Sequence, residues 1–425
     1  MGRFAYSAVL PSMQVGLDLG NTRAGNLATI SLIGYLTLAV IGGALASHLG
    51  PRLVISCALA LAGVGMFVTA AAPGFGVAAA GAFLTGMGSG AGNVASMGLV
   101  SAWFGPRQRG LAAGIAVSGI SGGLIVVGPL VPRILHAYPE NGWRVSWLVF
   151  GATTIALALA AAVLIRDRPA DKGLTAIGDE ARLAPPTKTA VETRPGRGAT
   201  TQGSGAADAR APIPAGELRS LGLHWGSVYR SSTVWHLGLV YVAFGFSYII
   251  FTTFFYKRLM SDGGYSKEAA GTLFMAVGWV SLLCGVIWGR VADRVGRKAA
   301  LIMVYLVQAA AYTIFALWAS PTGFTIGAVL FGLTAWSIPA IMAAACGNIM
   351  GPRLASAALG FITLFFSVGQ AAGPSVAGAM ADASGTFAPA YLLAGGVALM
   401  GAVGASLLRG RQPATQAAVA EPENA

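Results

Sequence analysis

Residues 289–298 read GRVADRVGRK, and residues 43–52 read GALASHLGPR; the two stretches lie 246 positions apart. The same offset relates Ala24-Gly25 to Ala270-Gly271, Gly105-Pro106-Arg107 to Gly351-Pro352-Arg353, and Gly114 to Gly360. Gly128-Pro129 and Gly373-Pro374 follow one residue out of step. Isolated glycine matches mean little in a chain with 60 glycines. One offset kept across separate loops and helix starts means more: the chain is an internal duplication.

Each copy of the repeat is flanked by apolar runs. Crossing a hydrocarbon core takes about 20 apolar residues in a helix. Runs of that kind fall near 25–47, 53–72, 75–103, 110–133, 143–165, 233–259, 268–290, 299–319, 322–349, 355–380 and 386–408, with a shorter candidate at 1–17. Charged residues make up 10% of the chain and hydrophobic ones 55%, whereas a soluble domain carries about 25% charged residues. The pattern predicts an all-α membrane protein of twelve transmembrane helices in two six-helix pseudo-symmetric halves. The halves are 1–165 and 229–408, joined by a cytoplasmic linker at 166–228 and followed by a cytoplasmic tail at 409–425. Residues 184–216, rich in Pro, Gly, Ala and Thr, have no helical or strand period and read as flexible. Leu218, Leu221 and Trp225 stand at helical spacing, either a short helix on the membrane surface or a plain loop.

The net charge of +12 does not point to nucleic acid, because the basic residues sit between apolar runs rather than on one soluble face. They set orientation instead. With the linker in the cytoplasm, 20 Lys and Arg fall on the cytoplasmic side and 6 in outer loops. Both termini are therefore expected in the cytoplasm of a bacterial inner membrane. Cys57, Cys284 and Cys346 lie inside apolar runs and read as small core residues. No GxxxxGK[ST] loop is present, which argues against direct ATP drive, and no cofactor or metal is expected. A membrane enzyme would call for a cluster of His, Asp or Cys in or beside the spans, and the sequence offers none.

GRVADRVGRK resembles the signature loop between helices 2 and 3 of major facilitator transporters, which recurs between helices 8 and 9. The resemblance extends over essentially the whole chain. It implies a transporter that acts as a monomer, rocks between two states, and latches its cytoplasmic side through this loop. Gly289, Asp293, Arg294, Gly296 and Arg297 then become gate residues, with Asp293 facing Arg109 and Gly110 at the start of helix 5 and Arg107 close by. The first copy departs, holding Ser47 and His48 where the second holds Asp293 and Arg294, so its latch is expected to be weaker. The alternative is that these charges only anchor a loop at the headgroups. SAWFGPRQRGLAAGIAVSG and RDRPADKGL are similar to the monocarboxylate and oxalate/formate-type branch, which implies a small organic anion. Gly128-Pro129 and Gly373-Pro374 are expected to bend helices 5 and 11.

Arg3 is the one charge expected inside a span, and an unpaired charge there is costly enough to mark function. The repeat sets it opposite Ile249, deep in helix 7, so helix 1 is expected to be N-terminally truncated, with roughly 10–25 residues ahead of it. Tyr6 and Ser7 follow on the same helical face. The guanidinium fork of Arg3 suits a carboxylate or phosphate; the alternative is an arginine that snorkels to the headgroups. Tyr241, Tyr248 and Thr252 share a face of helix 7. Asn93, Trp336 and Gln370 are further substrate-binding candidates, each equally a plain interhelical contact. No Asp or Glu lies in the middle of a span, which disfavours a buried-carboxylate proton relay and the recognition of cations. The expected activity is secondary transport of an organic anion such as a monocarboxylate; the alternative is efflux of a neutral or amphipathic compound. His236, near the cytoplasmic start of helix 7, is expected to be a loop or interface histidine rather than a titrating one.

Overall fold

The computed structural model describes residues 2–105, 108–169, 173–175, 177 and 225–408. Among these the regular structure is helical: α1 Gly2–Leu17, α2 Asn21–Leu49, α3 Pro51–Ala70, α4 Phe75–Trp103, α5 Arg109–Ala137, α6 Gly142–Leu164, α7 Trp225–Arg230, α8 Ser232–Ser261, α9 Lys267–Val295, α10 Arg297–Leu317, α11 Pro321–Thr334, α12 Ser337–Ser384 and α13 Ala388–Ser406. Nine of the described segments are long and apolar enough to cross a membrane. Large side chains such as Leu164 and Met400 are more than 70% exposed. That exposure suits lipid, where the usual drive to bury leucine from water is gone.

Local chemistry sets several helix ends. Ser231, Ser266 and Ser320 accept hydrogen bonds from the backbone N–H groups of Val234, Ala269 and Gly323, capping α8, α9 and α11. The turns α2–α3 and α9–α10 each hinge on one glycine, Gly50 at φ 87° and Gly296 at φ 86°. A side chain is strained there, and the two glycines are 246 residues apart, so the repeat extends to backbone conformation.

The expected span 322–349 is interrupted. The chain leaves helix at Ala335–Trp336, between α11 and α12. Pro339 explains the break: it has no N–H to donate to the Ala335 carbonyl, and its ring crowds that carbonyl. The expected gap between 349 and 355 is instead helical, and α12 runs unbroken from Ser337 to Ser384. Met350, Leu354 and the neighbouring alanines are strong helix formers. Trp225 starts the short α7, whereas Leu218 and Leu221 lie outside the described residues.

Helix packing is paired in step with the repeat. α2 packs on α4 as α9 packs on α11, and α3 on α6 as α10 on α13; α5 meets α9 as α12 meets α2. α1 lies against α8 and α5. Two glycine-lined crossings join the sets. A Cβ on Gly271 would overlap the Gly128 carbonyl, and one on Gly25 would overlap the Pro374 carbonyl. Gly25 and Gly271 are repeat partners at the offset of 246, as are Gly128 and Pro374, so a glycine faces a carbonyl at equivalent positions in both crossings. Cys284 and Cys346 are buried as expected; Cys57 is exposed. His236 sits at an interface, its Nε2 2.9 Å from the Gly404 carbonyl oxygen.

Candidate functional site

The two crossings close one end of the bundle, the end that carries the α1–α2 turn. Thr29 of α2 donates to the Ala371 carbonyl at 2.7 Å and lies 2.8 Å from the Ser375 hydroxyl, both on α12. At the rim, Asp382 of α12 accepts from the backbone N–H groups of Asn21 and Thr22 at 2.9 and 2.7 Å, and from the Thr22 hydroxyl at 2.6 Å. These N–H groups begin α2 and have no partner within their own helix, so a carboxylate suits them. On the other crossing, Gly278 packs on Ile125, and the Ser281 hydroxyl donates to Ser121 at 2.8 Å. Past this pair the contact stops. Gly114 and Gly119 on α5, and Gly285 and Gly289 on α9, face open space within 4 Å. The seam is shut at the first-turn end and parted toward the end that carries the α2–α3 turn.

Where closed and open parts meet, several candidate residues converge. The Trp336 indole N–H donates to Ser121 at 3.2 Å, so the helix break aims this ring at the seam. Tyr248 of α8 lies edge-on to Trp336, with centroids 6.2 Å apart, and accepts a hydrogen bond from the Gln370 amide of α12. Phe4 of α1 meets Trp336 from the other side at 5.8 Å. Tyr241, Phe244 and Phe366 continue the aromatic stack, Tyr241 lying 4.6 Å from Phe366. Tyr248, Trp336 and Gln370 thus come together with Tyr241. The signal for Ser121 and Ser281 is absent from the sequence, because isolated serines in apolar helices are common and this pair obeys no repeat offset.

Other candidates stand elsewhere. The Tyr6 hydroxyl donates to the Ala24 carbonyl at 2.6 Å and borders a cavity of about 40 Å³ with Trp147, Ile249 and Thr253. The Ser7 hydroxyl is buried without a hydrogen-bond partner. The Thr252 hydroxyl bonds back to its own helix at Tyr248 and Ile249, and its neighbour Thr253 reaches the cavity instead. Asn93 is exposed and donates to the Tyr35 hydroxyl at 2.7 Å. The side chain of Arg3 lies outside the described residues, as do Arg107 and the side chain of Arg109.

The signature loop lines a second cavity of about 90 Å³, bordered by Gly289, Asp293, Arg297, Trp288 and Ser337. Arg297 donates to the Ala344 carbonyl of α12. Asp293 and Arg294 are exposed, and among the described residues Asp293 makes no ion pair. At the first copy a different carboxylate serves. Asp167, in the RDRPAD stretch after α6, accepts from the Arg52 backbone N–H at 2.7 Å, and its oxygen would stand 2.8 Å from a Cβ on Gly50. The Arg52 guanidinium reaches the Ala162 carbonyl at 2.7 Å, tying α3 to the end of α6.

Sequence reading also missed the strongest polar cluster. Arg258 of α8 is buried and pairs with Asp262 at 2.5 Å. It also donates to the Ala316 carbonyl at the end of α10 at 2.6 Å. Asp262 further accepts from the Thr386 hydroxyl at 2.6 Å and the Phe387 N–H at 3.0 Å. Burial works to raise the Asp262 carboxyl, but the hydrogen bonds from Thr386, Ser261, Arg258 and Phe387 outweigh it and hold the group below its ordinary range.

A bundle of apolar spans around a polar and aromatic cluster defines a polytopic helical membrane protein. Comparison with known proteins makes this specific. The profile of the Major Facilitator Superfamily matches residues 1–263, and that of the uncharacterised MFS-type transporter YbfB matches 223–406. The chain belongs to the Major Facilitator Superfamily, a family of transporters. It is similar to the hexuronate transporter of Bacillus subtilis, with 25% identity over 94% of this chain and 88% of that one. It is also similar to a probable sulfoacetate transporter, SauU, of Cupriavidus necator, with 23% identity and the same coverage, 94% and 88%. Its fold resembles the nucleoside transporter NupG, with TM-score 0.69, 13% identity, and 95% of each chain covered. It also resembles a bacterial homolog of the human lysosomal transporter Spinster in an inward-facing, unoccupied conformation, with TM-score 0.61, 15% identity, and 96% and 92% covered.

Proposed function

We propose that the protein is a secondary transporter of a small organic anion, working by alternating access between two six-helix halves. One observation carries this reading: the seam is shut on one side of the Ser121–Ser281–Trp336 junction and parted on the other, with a polar and aromatic cluster at the junction. A rocking carrier holds its substrate at such a place, near the midplane between related halves. With both termini in the cytoplasm of a bacterial inner membrane, the open end faces inward and the Asp382 rim faces outward. Twelve spans follow if α1, α2 and α4 join the nine and α11 with the start of α12 counts as one. The working unit is a monomer.

Substrate class rests on Arg3 and on the relatives. Arg3 immediately precedes Phe4, the residue that touches Trp336, and is assigned as the partner of a carboxylate, with Tyr248 and Gln370 hydrogen-bonding the rest of the solute. A hexuronate and sulfoacetate, named for two relatives, are small organic anions; a hexuronate carries a single carboxylate. The stacked rings of Tyr241, Phe244 and Phe366 favour a second reading, export of a neutral or amphipathic compound.

The melting temperature of the purified chain against small carboxylates, neutral sugars and lipophilic cations separates the two. A ligand bound only by the folded state, at a hundredfold excess over its dissociation constant, adds about 2.7 kcal/mol of stability. Stabilisation by carboxylates that vanishes in Arg3→Ala supports the anion carrier. Stabilisation by amphipathic compounds alone overturns it.

A further inference from the structure

A third cavity borders the shut seam. About 450 Å³ in volume, it lies at the first-turn end among the tip of α1, the α5–α6 turn, the end of α8 and the start of α9. That volume is in the range of small-molecule sites, about 300–1,000 Å³. Its walls are mixed: Pro11, Trp143 and Met260 are apolar, while Lys257, Lys267 and Glu140 carry charge. Both lysines are partly buried. Among the described residues neither makes an ion pair or a side-chain hydrogen bond. The carboxylate nearest to Lys257 in sequence, Asp262, is committed to Arg258, Thr386 and Phe387. Lys267 opens α9, whose first turn also holds Glu268.

Two half-buried cations and one carboxylate line the cavity, so the lining itself carries an excess of positive charge, with Asp262 acting on Lys257 and Glu268 on Lys267 from outside that lining. The apolar, partly buried part of the wall strengthens that field relative to open water. Such a cavity holds an anion of small-molecule size, with its charged group between the lysines and its body against Trp143. It lies on α1 and α8, the helices that also carry Phe4 and Tyr248 at the junction, so it stands directly outside the shut part of the route.

We propose that this cavity is an outer antechamber that collects small organic anions before the seam opens, with Lys257 and Lys267 as its charge-selecting residues. The inference rests on the organic-anion reading and adds a second, one-sided binding step to it. It requires sidedness: the lysines act on substrate arriving at the first-turn end and leave recognition at the junction alone.

The test uses the full chain in proteoliposomes, with glucuronate and sulfoacetate as charged probes and glucose as an uncharged one. Removing one partly exposed charge partner changes affinity by about threefold. In the double variant Lys257→Gln/Lys267→Gln, the KM for the anions should rise about tenfold from that face, with the maximal rate within about twofold. Lys257→Arg/Lys267→Arg should keep the wild-type KM. For the unaltered protein, raising salt from roughly 20 to 300 mM should raise the anion KM, because screening at the higher value acts within about 6 Å. That second reading stands even if the double variant does not fold. An anion KM unchanged by either the substitutions or salt overturns the antechamber while leaving the carrier intact. Wild-type protein that moves glucose but neither anion overturns the organic-anion reading and the antechamber together.

Discussion

Two aspartates mark the shut end of the bundle, and they do different work. Asp262 is tied to the buried Arg258, and through it to the end of α10 and the α12–α13 turn. Every partner lies on α8 to α13, so this cluster ties together helices that the proposed mechanism moves as one body. Asp382 reaches from α12 to the first N–H groups of α2, across the seam. The first is a buried, charge-paired network; the second is a carboxylate on a helix end at an exposed rim. A carrier needs both kinds. Contacts within a moving body must survive every cycle, and contacts across the seam must be cheap enough to break when the outer end opens.

The largest effect is expected at Arg258. Arg258→Ala strands Asp262 and frees the α10 carbonyls, and removing one partner of a buried pair costs about 3–5 kcal/mol. The melting temperature should fall sharply whichever way the seam is biased. A loss of transport with unchanged stability would refute the rigid-body role.

Gly271→Leu comes next and attacks the seam. Its side chain would run into the Gly128 backbone, and such overpacking costs about 1–3 kcal/mol. Because the clash exists only while the seam is shut, the variant should favour the outward-open form. A single cysteine placed at Ser281 should then react faster with an impermeant thiol reagent added outside. Equal labelling in variant and parent would break the comparison.

Asp382→Asn should have a smaller effect, since a carboxylate at a helix N-terminus contributes about 0.3–1 kcal/mol. Folding should be nearly unaffected. The outward-open population should rise about two- to fivefold, read by the same labelling, converting that energy at about 1.4 kcal/mol per tenfold.

The smallest effect is in pH. Asp262 is held below its ordinary range in the folded protein. Its contribution is therefore complete above the unfolded carboxyl value, near 3.9, and is lost as pH falls through the lower folded value. Melting temperature should drop on acidification below about pH 4, and Asp262→Asn should flatten that part of the curve.

The signature loop shows how far residue patterns carry. GRVADRVGRK pointed to the family and the repeat, and the structure adds that Gly50 and Gly296 take the same positive φ at the two copies of its turn, where few residues other than glycine fit. The motif did not disclose that Asp167, from the far end of α6, seats the first copy of that turn. Substrate candidates on α8 were legible as a helical face, and the structure brings Tyr241 and Tyr248 together with Gln370 and Trp336. Thr252, on the same face by periodicity, spends its hydroxyl on its own backbone, a choice that depends on which neighbour packs above it.

By itself, the sequence pointed to a bundle of membrane helices with an internal repeat and placed most of the apolar spans, though not the break at Ala335–Trp336 or the unbroken run of α12. These follow from span length, turn chemistry and the steric needs of single positions, all local along the chain. Tertiary structure decided the rest: which end of the seam is shut, that Asp382 caps α2 across 360 residues of sequence, that Arg258 pairs with Asp262, and that two lysines line the cavity at the α1–α2 end. Those outcomes depend on which side chains meet between helices far apart in the chain, and helical periodicity specifies a face without naming its partner.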